Sequence, residues 1–124
     1  MKLTHLLAAA FAVAAPAAAQ NPTTVVPIQL YSYGYAPAPI MLRAGVPATL
    51  VFTDVAGSSH EFKAPGFFHS ARIVSGDVEE EGAVELKPHQ SLSVTLVPAR
   101  GIYKVHCGHF FHDPLGMHTL IYVQ

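Results

Sequence analysis

The chain has 124 residues, with 7 Lys and Arg against 8 Asp and Glu, eight histidines and one cysteine. This near-neutral balance, with no basic stripe interleaved with aromatics, argues against a nucleic-acid partner. After residue 20 nothing is long or apolar enough for a bilayer span, which takes about 20 apolar residues.

Met1-Lys2 is a minimal basic start, Leu6 to Ala15 an unbroken apolar run, Pro16 a helix breaker, and Ala17-Ala18-Ala19 a stretch of small residues. Charge, short apolar core and small-residue exit follow one another as in a secretory signal peptide. The expectation is therefore that residues 1–19 are a signal peptide removed near Ala19, and that the product is periplasmic or secreted. Residues 20–124 carry no repeat or second linker and read as one domain, of a size at which a two-sheet sandwich closes around a core.

Val25 to Tyr33 is rich in β-branched and aromatic residues, and Pro27 suits an edge better than a central strand. Tyr31, Tyr33 and Tyr35 read as alternating strand residues. Tyr35 to Pro39 is a Pro-punctuated bend, Ile40 to Arg43 a short extended piece, and Ala44-Gly45-Val46-Pro47 a turn. Ala48 to Val55 alternates, with Leu50 and Phe52 on one face and Thr49, Val51 and Thr53 on the other, which predicts a strand. The loop Ala56-Gly57-Ser58-Ser59 delivers His60 to a further extended piece. Phe67 to Arg72 suits a short helical turn, and Glu79-Glu80-Glu81-Gly82 a solvated one. Ser91 to Val97 alternates with Leu92, Val94 and Leu96 on one face. Ile102 to Cys107 and His118 to Val123 complete the strands. Short strands parted by turn signals, with little helix, predict an all-β sandwich or barrel.

An odd cysteine in an exported chain needs an explanation. It is a buried inert thiol, an intermolecular disulfide, a reactive nucleophile or a metal ligand. Four histidines between His106 and His118 favour the last. Between the last two predicted strands lies Cys107-x4-His112-x4-Met117. A thiolate, an imidazole and a thioether on one short loop make a soft donor set suited to copper. A mononuclear blue-copper site needs a Cys and two His in a plane, with a weak axial bond often made by Met. His60, after a strand and a Gly-Ser loop, is the natural second histidine. His109 also follows the cysteine. His112 leaves more room for the loop to fold back and is the preferred reading, with His109 as a neighbour, an exposed residue or part of an accessory metal site. Phe110, Phe111, Pro114 and Leu115 are expected to pack around it. His69, His106 and His118 read as exposed or structural. A hydrolytic or thiol enzyme is disfavoured: Asp113 directly follows His112, a poor geometry for orienting that ring.

These residues resemble the cupredoxins, the small single-domain blue copper proteins of the plastocyanin and azurin kind. The likeness runs over nearly all of residues 20–124. It is carried by the turn Gly45, the strand Leu50-Val51-Phe52, the His60-Glu61-Phe62 segment, the turn Pro88-His89-Gln90-Ser91 and the Gly101-Ile102-Tyr103 approach to the Cys-His-Met loop. Two positions depart from the pattern: Asp54, where many cupredoxins carry Asn, and His89, where the turn commonly has Gly. The resemblance implies a Greek-key β-sandwich with one type 1 copper ion at one end, His60, Cys107 and His112 equatorial and Met117 axial. The loop also resembles the type 1 signature of multicopper oxidases, where histidines flank the cysteine on both sides. Here Gly108 takes one flank, so oxidase activity is not expected. The function implied is single-electron transfer by an exported monomer that meets a redox partner protein transiently. The alternative is a periplasmic copper carrier that meets copper-handling proteins, or a cupredoxin-like module serving a metal transporter.

Overall fold

In the computed structural model of the chain, residues 4, 7–14, 22–109, 112 and 114–124 are described. The expected signal segment falls largely outside these residues, as do Phe110, Phe111 and Asp113. Residues 7–14 form no regular element.

The described residues fold into two five-stranded sheets, and the all-β sandwich expected from the turn-punctuated strands is what forms. The first sheet runs β2 (Gly34–Ala36), β1 (Thr24–Tyr31), β4 (Ala48–Asp54), β8 (Ser91–Val97), β6 (Arg72–Ser75). The second runs β3 (Ile40–Leu42), β10 (His118–Val123), β9 (Gly101–His106), β5 (His60–Lys63), β7 (Ala83–Leu86), and one short helix, α1 (Pro65–Ser70), follows β5. Period-two alternation decides which side chains go inside. Leu50 and Phe52 of β4 and Val94 and Leu96 of β8 are buried, whereas Thr49 and Thr53 face outward. There the hydroxyls pair across the strands, Thr49 with Thr95 at 2.8 Å and Thr53 with Ser91 at 2.9 Å.

Aromatic rings tie the sheets together. Phe62 of β5 meets Phe52 at 4.8 Å, Tyr35 at 5.5 Å and Phe68 of α1 at 6.0 Å between ring centroids. Phe67 packs edge-on against Tyr103 at 5.6 Å. Offset and edge-on pairs of this kind add about 0.5–1.5 kcal/mol each beyond the area they bury. The Tyr35 hydroxyl, brought into the core, donates to the carbonyl of Glu61 at 2.6 Å, which fixes the strand that begins at His60.

Three expectations change. β1 lies between β2 and β4 rather than at an edge, yet β2 reaches only residues 29–31, so Pro27 has no strand on that side and its missing N–H breaks no ladder. Tyr33 belongs to the turn between β1 and β2, not to a strand. Strands β6 and β7 lie where no alternation marks them: β6 is exposed throughout, and β7 is buried at three of its four residues. The acidic turn before β7 closes on Gly82 at φ 81°, where a Cβ would lie 2.6 Å from Pro65 Cα, so the turn is restricted to glycine.

Candidate metal centre

His60, Cys107 and His112 come from three different elements. His60 opens β5, paired with Leu86 of β7, and is fully buried. Cys107 directly follows β9 and is also buried. The β9–β10 register pairs His106 with His118, which places Cys107 opposite Met117, and the Cys107 N–H donates to the Met117 carbonyl at 3.1 Å. His112 stands in the loop between them. Its N–H is bound to the His109 carbonyl, and its own carbonyl accepts from both Leu115 and Met117, all at 3.1 Å. A tight turn thus folds the imidazole back over the cysteine, and Met117 enters the interior fully buried.

One donor atom from each of His60, Cys107 and His112 lies within 4.8 Å of the others. His60 Nδ1 is 3.1 Å from His112 Nδ1, which is 3.3 Å from Cys107 Sγ. Donors bound to one first-row metal ion at about 2.0–2.3 Å lie roughly 3–4 Å from each other. The separations, the burial and the two-nitrogen, one-sulfur chemistry fit one type 1 copper ion. Burial acts on all three groups against their charged forms. It lowers the His60 pKa, an effect partly offset by the negative charge of Asp54, and it lowers that of His112. It raises that of Cys107, against hydrogen bonds from backbone N–H groups. Two neutral imidazoles are ready ligands, whereas the thiol gives up its proton to a metal that binds it.

The surroundings hold each donor. The Glu61 N–H points at Cys107 Sγ at 3.4 Å, a hydrogen bond of the kind that tunes the potential of a copper thiolate. His60 turns Nε2 away from the other donors toward Ser32 Oγ at 3.0 Å and Ser58 Oγ at 3.4 Å, so Nδ1 faces the group. Asp54 is fully buried, and its Oδ1 accepts the Ala56 N–H at 2.9 Å, shaping the loop that leads to His60. Asp54 Oδ2 has no partner among the described residues.

His109 goes elsewhere. Its Nε2 lies 2.8 Å and 3.1 Å from the two carboxylate oxygens of Glu85, and its ring stands 5.3 Å from that of His112. Next to it the Gly108 N–H donates to Glu61 Oε1 at 3.1 Å, and a Cβ at Gly108 would lie 2.5 Å from that oxygen. The flank that bears a second histidine in the oxidase signature is here pinned to a carboxylate. His106 and His118 are cross-strand partners outside the three-donor group, and His69 bonds the Glu80 carbonyl at 2.9 Å. Sequence reasoning missed Ser32, Tyr33 and Glu85. No spacing marks them, because Glu85 reaches the site through the β5–β7 register and Ser32 and Tyr33 through the turn between β1 and β2.

No protein-family model matches the sequence, and no curated protein matches it. Solved structures do match in shape. Auracyanin B is 19% identical, with 82% of this chain and 88% of its own covered at a TM-score of 0.60. Auracyanin A, a "blue" copper protein from the green thermophilic photosynthetic bacterium Chloroflexus aurantiacus, is 14% identical, with 83% and 100% covered at 0.59. The McoA multicopper oxidase from the hyperthermophile Aquifex aeolicus is 13% identical over 82% of this chain, at 0.63, but this chain spans only 29% of that protein's length. Two sheets in this order, matched over most of two auracyanins, give the chain the cupredoxin fold, with a largely buried donor group that fits one type 1 copper ion.

Proposed function

We propose that this chain is an exported copper protein that carries single electrons, with His60, Cys107 and His112 as strong ligands and Met117 as the weak one. Residues 1–19 act as the signal peptide and 20–124 as the working domain. The observation that carries the reading is the convergence of His60 Nδ1, His112 Nδ1 and Cys107 Sγ at one end of the sandwich. When bound, copper supplies a one-electron couple between Cu(II) and Cu(I).

The residues of the chain do the rest. Strand β5 fixes His60, the register of β9 with β10 fixes Cys107 beside Met117, and the turn at 112 closes the set. Donors held this firmly rearrange little when the charge on the metal changes, which suits electron transfer. His60 is buried and His112 only partly so, so electrons pass through the His112 edge, beside the exposed Pro114 and Leu115. A small apolar surface of this kind suits brief docking with a redox protein. The chain is not expected to be an enzyme: its likeness to the auracyanins runs over most of both chains, whereas its likeness to the oxidase covers only 29% of that protein.

One equivalent of Cu(II) added to the purified protein tests the reading. An intense blue or green absorption reports a copper–thiolate bond and supports electron transfer. A nearly colourless complex defeats it and leaves copper carriage, or a module serving a transporter, as the reading to pursue.

A further inference from the structure

The turn between β1 and β2 supplies none of the four proposed ligands, yet it touches both histidines. Ser32 Oγ lies 3.0 Å from His60 Nε2. The ring of the next residue, Tyr33, stands 5.1 Å from that of His112, tilted by 55°, and 6.4 Å from that of His60, nearly perpendicular at 85°. The two imidazoles are themselves 4.8 Å apart. One aromatic ring therefore spans both.

Tyr33 is also at the surface. It is 41% exposed, whereas His60 behind it is fully buried. Of the three neighbouring tyrosines, Tyr35 is spent on the core through the Glu61 carbonyl. Tyr31 folds over its own turn, where a Cβ on Gly34 would lie 2.6 Å from the Tyr31 hydroxyl. Tyr33 packs on both site histidines. No hydrogen bond holds its hydroxyl among the described residues, so its contact with the site is made by the ring face and edge.

We propose that Tyr33 is a cover over the imidazole pair: its ring keeps small external ligands away from the metal position and slows the loss of copper. Ser32 holds the buried imidazole while Tyr33 screens the outer one. Tyr33 is thus a positioning residue that acts through His112. The inference rests on the copper reading above.

Two measurements on the full chain test it, each made on the wild type, Tyr33→Ala and Tyr33→Phe. First, the copper-loaded proteins are titrated with azide while the visible spectrum is followed, and copper transfer to a Cu(I) chelator is timed. Removing the ring is expected to speed transfer by about ten-fold, the upper reach of one aromatic contact. Azide should then perturb the spectrum of Tyr33→Ala and leave the wild type unchanged. Tyr33→Phe should behave as wild type, because the ring and not the hydroxyl does the screening. Equal behaviour of all three proteins, or a Phe variant as open as the Ala variant, overturns the proposal. Second, proton spectra of the metal-free proteins report the His112 ring signals, which the Tyr33 ring current displaces. These signals should move in Tyr33→Ala and stay in Tyr33→Phe, and a spectrum that stays unmoved in both removes the contact. A wild type with no thiolate absorption defeats the copper reading, while the metal-free spectra still decide whether Tyr33 covers the pair.

Discussion

The two histidines of the site are held in opposite ways. His60 sits in a ladder, paired through β5 with β7, in a strand whose Phe62 is packed against Phe52 and Tyr35. His112 sits in a turn, fastened by three backbone hydrogen bonds and overlaid by one half-exposed ring. The ladder places a donor for as long as the sheet is folded. The turn lies outside both ladders, and the Tyr33 ring over it is the proposed control on access. Stability belongs to one half of the site and exchange to the other.

Cysteine joins the halves, and its replacement has the largest expected effect. Cys107→Ser should abolish the copper–thiolate absorption entirely while the metal-free protein still folds, and a colour that survives would break the assignment. Next comes the ladder side. Phe62→Ala should destabilise the metal-free protein by about 3–5 kcal/mol in urea unfolding, as expected for a buried aromatic. Leu115→Ala, on the loop side and 56% exposed, should stay within about 0.5 kcal/mol. Similar costs for the two would mean that the comparison is wrong.

Acid should act on both halves at once. His60 and His112 have pKa values lowered by burial, so as pH falls the unfolded chain takes up protons first. Stability of the metal-free protein is therefore full above the ordinary imidazole range and declines as pH drops below it, which thermal unfolding between pH 7 and 5 will show. Replacing both histidines with Gln should flatten that slope. Glu85→Gln comes last. It removes the carboxylate charge beside His109 from a partly exposed pair, so the stability loss should be under about 1 kcal/mol. A larger loss would show that the loop is more tightly fastened than its exposure suggests.

Much of this was legible in the sequence, and the limits have physical causes. Strands β4 and β8 announce themselves because one face is buried and the other wetter, so period two appears in the residues. Strand β7 does not, since three of its four residues are buried, and β6 does not, since none is. Cys107, His112 and Met117 could be picked out because one loop carries them all. His60 needed the family pattern as well. Tyr33 was misread as a strand residue: the turn that carries it shows only in the backbone, and its neighbours at the site are far along the chain. His89 was legible as an oddity. It stands where such turns favour glycine, and it adopts φ 62°.

The rims of the two sheets bear on how the molecule behaves in a crowd. The four outermost strands, β2, β6, β3 and β7, are three or four residues long. β6 carries Arg72 and a register irregularity between Ile73 and Ser75. A rim this short and uneven offers another chain few backbone groups in line, so strand-by-strand growth into larger aggregates has little to build on. Concentrated solutions of the folded protein should accordingly remain free of fibrils.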